Sequence, residues 1–348
     1  MKASFVSSSA MQNVLRLTIS QSQNKLQQAS TEATTGTYAD IGVSLGAGAA
    51  KSINLTSAIA QAASFKMSNA VVELRMNASQ TALSSLKDAG DSLVSNLTAL
   101  QASQDTTSIA VALQTASATI SQLVSTANTS VNGEFLFGGT NLDSQPLSDQ
   151  SSAVSDTIVS ALNDYATGLG KDVSELTGEE IGSFITDTVE PMFSESAWTD
   201  ASEGWSAASS TNMTSRISGS ETITSSTNAN SEGMRYLALA SVVVSALFGQ
   251  DLSSDAQSTV ASKAIAYAAQ ATSGIVTQQS ELGLAQERLE KANDALDAQS
   301  TLLQGNLVDL QGVDTYEAST LVNQLQTQLE TAYTLVSKLQ SLSLVNYL

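Results

Sequence analysis

The 348-residue sequence contains no cysteine and no histidine. Without cysteine there is no disulfide, thiolate nucleophile or thiolate metal ligand, and without histidine the commonest general base and metal ligand is missing. Proline occurs twice, at Pro146 and Pro191, so both ends of the chain are free of the strongest helix breaker and long helices can run there. Aromatic residues make up only 5%, a poverty that suits thin helical seams better than a bulky core and predicts an elongated molecule.

Basic residues are scarce too: 14 Lys and Arg stand against 33 Asp and Glu, for a net charge of -19. The imbalance is local. Residues 141–230 hold two basic and fourteen acidic side chains, whereas residues 1–140 hold seven of each. A phosphate backbone requires clustered Lys and Arg, so nucleic acid is not an expected partner; the acidic middle suits a solvated outer surface. The most hydrophobic run, Tyr236 to Phe248, spans thirteen residues, short of the ~18 that a bilayer-crossing helix needs, and is predicted to be a buried helix with no membrane span. The first residues lack an apolar stretch of signal-peptide length, so export through a cleaved signal is not expected.

What the chain does have is helical periodicity at both ends. Met11, Leu15, Thr18, Ser22, Leu26, Ala29 and Ala33 recur in steps of three and four, as in a coiled-coil seam. A glycine-rich interval through Gly36, Gly42, Gly46 and Gly48 breaks it and predicts a loop or turn. Periodicity returns from Val72 to Leu100 and from Ile109 to Ala127, two antiparallel helices joined near residues 103–107. At the other end it runs through Leu282, Ala285, Leu289, Ala292, Leu296, Gln299 and Leu303, then Leu307 and Leu310, breaks around Gly312, and resumes with Val322, Leu325, Leu329, Ala332, Val336 and Leu339.

The middle reads differently. Alternation around Gly219 and Ser220 predicts a hairpin over residues 216–224, and Thr177 with Glu180 forms a capping box that opens a short helix. The expected fold is mainly α: an antiparallel bundle or coiled coil built from both termini with an inserted α+β or β-containing domain. The boundaries are a terminal coiled coil of residues 1–40 and 305–348, an inner bundle of 41–140 and 232–304, and an acidic outer domain of 141–231.

Candidate chemistry is thin. The run GAGAAKS over residues 46–52 lacks the glycine a phosphate loop requires before Lys51, where Ala50 stands. Adjacent Glu179 and Glu180 read as capping and solvated groups, since paired catalytic carboxylates need environments that separate their pKa values. No segment has the ligand spacing of a calcium loop. No catalytic, cofactor or metal residue is assigned, and an enzyme is not expected.

The seams carry the reading. Burying a leucine contributes ~1.5–3 kcal/mol, while ordering a residue's backbone costs ~1–2 kcal/mol. Seam positions such as Thr18, Ser22 and Gln299 add little, so the terminal arms gain order by packing on each other and on neighbouring copies. Leu15, Leu26, Val322, Leu325, Leu329, Val336 and Leu339 are the predicted subunit-packing residues.

One stretch is more specific: NTSVNGEFLFGGT over residues 128–140, with Gly133, Phe135, Leu136, Phe137 and Gly139, read as a helix end at Asn132 and Gly133, a short apolar strand and a glycine exit. With LAQERLE at 284–290, DTYEAS at 314–319 and SLSLVNYL at 341–348, it resembles the bacterial flagellins and, within them, the flagellin-like proteins of the junction between hook and filament. The resemblance covers residues 1–142 and 232–348. The segment TGTYADIG at 35–42 departs from the family pattern, more from filament flagellin than from a junction protein.

The resemblance implies a structural subunit exported unfolded through the flagellar type III apparatus without signal cleavage, then assembled outside the cell. The partners it implies are the neighbouring hook-associated junction protein, flagellin, further copies in a ring, and an export chaperone. Filament flagellin is the alternative within the family. A chemoreceptor-like signalling bundle is the alternative of another class, but it calls for a membrane span and unbroken heptads through the middle, and the sequence has neither.

Overall fold

The computed structural model describes residues 8–103 and 105–345, without the side chains at 8, 9 and 339–345. Two compact units emerge: a terminal unit of the residues up to Ser64 together with those from Ala295, and a central unit of Phe65–Asp294. Among the described residues the fold is mainly α, with two small strand pairs.

In the terminal unit, α1 (Ser8–Thr35) packs against α10 (Thr315–Val345). They run antiparallel, because Gln23 donates to the Tyr333 hydroxyl at 2.7 Å while Thr37, past the end of α1, bridges Gly312, before the start of α10. The inward face of α1 is Leu15, Ile19, Ser22, Leu26 and Ala29; that of α10 is Ala318, Val322, Leu325, Leu329, Ala332 and Val336, in strict steps of four and three. Thr18, placed on the seam by the sequence pattern, is exposed, and its hydroxyl bonds back to the Val14 carbonyl at 2.9 Å. Ile19 takes the position, since an isoleucine gains from burial what a threonine loses by giving up water.

The glycine-rich interval does break the helices, but it holds a helix of its own, α2 (Ile41–Leu45), capped by Asp40, whose carboxylate accepts from the Val43 amide at 3.0 Å. α3 (Ala49–Ser103) then starts well before Val72. Its partner along the chain, α4 (Thr106–Ala127), runs back antiparallel: Asn96 donates to Thr115 at 3.0 Å, Ser103 and Ser108 share a 2.7 Å bond, and Asp105 caps the new helix.

In the central unit, α8 (Glu232–Leu247) is the buried helix that the hydrophobic run predicts, covered by α4 and by α5 (Ser151–Gly168). Among the described residues no helix is long and apolar enough to cross a membrane. α9 (Ser254–Gln311) begins 28 residues before Leu282. Its first half carries mostly Ala, Ser and Thr, whose small side chains give a weak hydrophobic period yet pack closely. Gln299 turns out exposed, and Ser300, Leu303, Leu307 and Leu310 continue the inward face after Leu296.

The middle residues supply α6 (Gly178–Phe184) with the expected capping box, Thr177 and Glu180 each accepting from the other's backbone amide. They also supply a π-helical turn at Ile185–Val189, a 3-10 turn at Glu190–Phe193 and α7 (Glu195–Trp198). The hairpin forms where expected, from two strands at Thr214–Arg216 and Thr222–Thr224 with Arg216 opposite Thr222. Trp198 and Trp205 stack at 5.3 Å between ring centres and, with Ile217, join the same apolar core as Leu83 and Leu237.

Candidate assembly surface

Four of the residues assigned to subunit packing face inward on α10, where Leu325 and Leu329 are buried and Val322 and Val336 half-buried, and Leu15 and Leu26 answer them from α1. These six join the two ends of one chain. Leu339 lies on α10, but its side chain falls outside the described residues.

Part of the apolar surface left free on these two helices lies on second faces, beside their inward ones. On α1, Val14 and Leu17 are 63% and 61% exposed; on α10, Leu321 and Leu335 are 43% and 49% exposed. On α10 these leucines bracket Gln324, Gln328 and Thr331, a stripe one residue behind the inward face with the same three-and-four spacing. A groove of about 480 Å³ runs along this stripe beside Leu15, Thr327 and Ala332, and no charged side chain lines it. The signal is available in the sequence: a second uncharged heptad on a helix whose first is already used.

The glycine–phenylalanine motif lies in the central unit and is a clamp in the fold with no reactive group. α4 ends at Ala127, with Asn128 as its cap, so Asn132 and Gly133 do not end a helix. Both have positive φ, 56° and 85°, and form the two-residue turn between β1 (Ser130–Val131) and β2 (Glu134–Phe135). Asn-Gly is the sequence best suited to that turn, because it needs left-handed backbone at both positions.

Beyond the turn, Leu136 and Phe137 are buried. Ala229 donates to the Phe137 carbonyl at 2.9 Å and Ser209 to that of Gly138 at 3.0 Å. At Gly139, φ +61°, a β-carbon would lie 2.2 Å from the Ser209 carbonyl oxygen, so only glycine fits. Arg75, nearly buried on α3, pairs with Glu134 and reaches the Phe135 carbonyl at 3.4 Å.

Several ionisable groups are tied into the fold. Lys171 lies 2.6 Å from Glu180, and this bond, with the Thr177 amide, draws the Glu180 carboxyl down to about 2. Burial, and then the Glu190 carboxylate, push Tyr267 and Tyr236 above the usual phenol range. In the GAGAAKS run, Ser52 is buried on α3 and accepts from Gln311.

Residues 6–142 match the N-terminal helical region of bacterial flagellin, and residues 265–348 match its C-terminal helical region. No curated protein matches the chain in sequence. Among solved structures, it is similar to one described as a putative flagellar hook-associated protein from Vibrio parahaemolyticus, with 12% identity and a TM-score of 0.55 over 77% of this chain and 99% of that one. At that identity the likeness speaks to the fold. The two terminal regions of flagellin together span more than half of the sequence, and the chain belongs to the bacterial flagellin family, a structural protein of the flagellum.

Proposed function

We propose that the chain is the flagellin-like subunit that joins hook to filament, a junction protein of the hook-associated protein 3 type. The observation that carries this reading is the likeness of the fold, over nearly the whole of the other chain, to a protein described as hook-associated. The segment at residues 35–42 departs from the loop of flagellins and junction proteins alike, and it weighs more against filament flagellin than against this reading. In this reading the subunit leaves the cell through the flagellar export apparatus without signal cleavage, its C-terminal arm escorted by a chaperone until export. Copies then form a ring outside the cell between the preceding junction protein and flagellin, with the acidic residues 141–231 turned to solvent.

Assembly rests on the uncharged second faces of α1 and α10. A helix surface with Val14, Leu17, Leu321 and Leu335 exposed, and no charge along its groove, is completed by an equivalent helix from a neighbouring subunit. Contacts of this heterologous, head-to-tail kind pass from one copy to the next and give a ring where the rotation closes.

The test is deletion of the gene. Cells should keep their hooks and shed unpolymerised flagellin into the medium, and purified protein added to those hooks should restore filament growth. Normal filaments in the deletion strain would refute the junction role. Polymerisation of the purified chain into long filaments on a seed would instead assign it to the filament.

A further inference from the structure

A cavity of about 380 Å³ opens in the central unit between α8, the π-helical turn at Ile185–Val189 and the 3-10 turn that follows it. Its size lies within the ~300–1,000 Å³ of small-molecule sites. Pro191, Phe193 and Leu239 give it apolar walls, and two groups of opposite charge, Arg235 and Glu190, face the same space.

Neither charge is neutralised by the other. Arg235 is half-buried and donates to two neutral carbonyls, from Nε to Asn230 at 3.2 Å and from Nη1 to Phe193 at 2.9 Å. Glu190 accepts from two phenols, Tyr267 at 2.7 Å and Tyr236 at 3.2 Å. Among the described residues no ion pair involves either side chain. A guanidinium drawn out of water ordinarily finds a carboxylate; in a chain with 33 acidic residues, this one finds none among the described residues. The π-helical turn, a backbone irregularity frequent at functional sites, leads directly into Glu190 and places Thr186 on the cavity wall.

We propose that this cavity binds a small zwitterion with an apolar body, of the apolar α-amino acid class, its carboxylate on Arg235 and its ammonium on Glu190. Each Glu190 oxygen accepts one phenol and keeps a second lone pair for the ammonium, while the guanidinium keeps its Nη2 donors for the carboxylate. Phe193 and Leu239 receive the apolar side chain. The ligand bridges residues 186–194 to α8 and so stabilises the central unit by mass action.

The only two tryptophans of the chain report on the site, because the Phe193 ring lies 6.5 Å from Trp198 and 6.1 Å from Trp205. The full chain is titrated with L-leucine, with 4-methylpentanoate, which lacks the ammonium, and with isoamylamine, which lacks the carboxylate. Leucine should give a saturable change in tryptophan fluorescence and a higher thermal midpoint, each half-molecule binding at least about tenfold more weakly.

Glu190→Gln keeps an oxygen for the tyrosines but removes the charge; it should weaken leucine about tenfold and leave 4-methylpentanoate no weaker. Arg235→Gln should weaken leucine and 4-methylpentanoate together, and should it fail to fold, the half-molecule series and Glu190→Gln still decide. No saturable response to millimolar leucine, equal responses to all three probes, or unchanged leucine binding in Glu190→Gln would each overturn the proposal.

Discussion

Gly233, in the first turn of α8, and Gly274, in the first half of α9, touch backbone to backbone: a β-carbon on Gly274 would lie 2.8 Å from both the nitrogen and the α-carbon of Gly233. The most buried helix of the central unit thus rests on α9 with no side chain between them at this crossing.

That crossing predicts a contrast within one helix. Gly274→Val should lower the stability of the central unit by about 2–3 kcal/mol through overpacking. Gly305, also inside α9, has open space around it, with nothing within 4 Å of where a β-carbon would stand, so Gly305→Ala should raise stability by about 0.5–1 kcal/mol through helix propensity alone. Urea denaturation of the full chain checks both, and equal effects would remove the packing role assigned to Gly274.

The flagellin-like motif gives a second contrast. Gly139→Ala meets backbone oxygen on two sides, 2.2 Å from Ser209 and 2.7 Å from Thr211, and should cost ~3 kcal/mol or more, as other substitutions at incompatible backbone positions do. Gly133→Ala has open space around it and carries only the strain of φ +85°, about 1–2 kcal/mol. Denaturation midpoints in urea should fall in that order.

The same two regions show how far the sequence can be read. The α10 seam is legible residue by residue, because Val322, Leu325, Leu329, Ala332 and Val336 keep a strict spacing that no other structure satisfies. The α1 seam is legible only in part, since Thr18 and Ile19 compete for one position and the choice depends on what α10 presents. The early part of α3 and the first half of α9 escape a periodicity reading because alanine, serine and threonine carry little hydrophobic contrast, and the glycine contact that fixes α9 against α8 joins residues 41 positions apart. The Asn132–Gly133 turn passes for a helix end because glycine marks both. The exposed stripe of Leu321 and Leu335 is readable, but a periodicity search stops at the first seam it finds.

Acid should weaken the fold partly through Glu180. Its folded pKa of about 2 lies below the unfolded 4.5, so its stabilisation is full above pH 4.5 and is lost as pH falls from there through 2. Glu180→Gln should therefore flatten the dependence of the denaturation midpoint on pH across that window. An unchanged slope would show that the Lys171 bond contributes nothing.

Alkali should act through Tyr267. Burial raises its folded pKa above the unfolded value near 10, so the stability it lends is complete below about pH 10 and declines as pH rises past it. Tyr267→Phe should remove that decline while costing about 1 kcal/mol at neutral pH for the lost hydrogen bond to Glu190. Thermal midpoints at pH 8 and pH 10.5 (about half a unit above the free phenol) separate the two effects.

The terminal unit allows internal packing and assembly to be separated, because they use different faces of the same helices. Leu329→Ala removes a buried contact of the α1–α10 pair and should weaken that pair by about 2–3 kcal/mol, seen as lost helical circular dichroism and faster amide exchange in the monomer. Val14→Ser with Leu335→Ser changes side chains that are mostly or half exposed, so the monomer should keep its helicity. Since burying two such side chains between subunits contributes about 3 kcal/mol, the double variant should raise the concentration needed to add onto isolated hooks by about a hundredfold. If it instead assembles as the parent does, while Leu329→Ala assembles poorly, the neighbouring subunit contacts some other surface and the uncharged groove on α10 is idle.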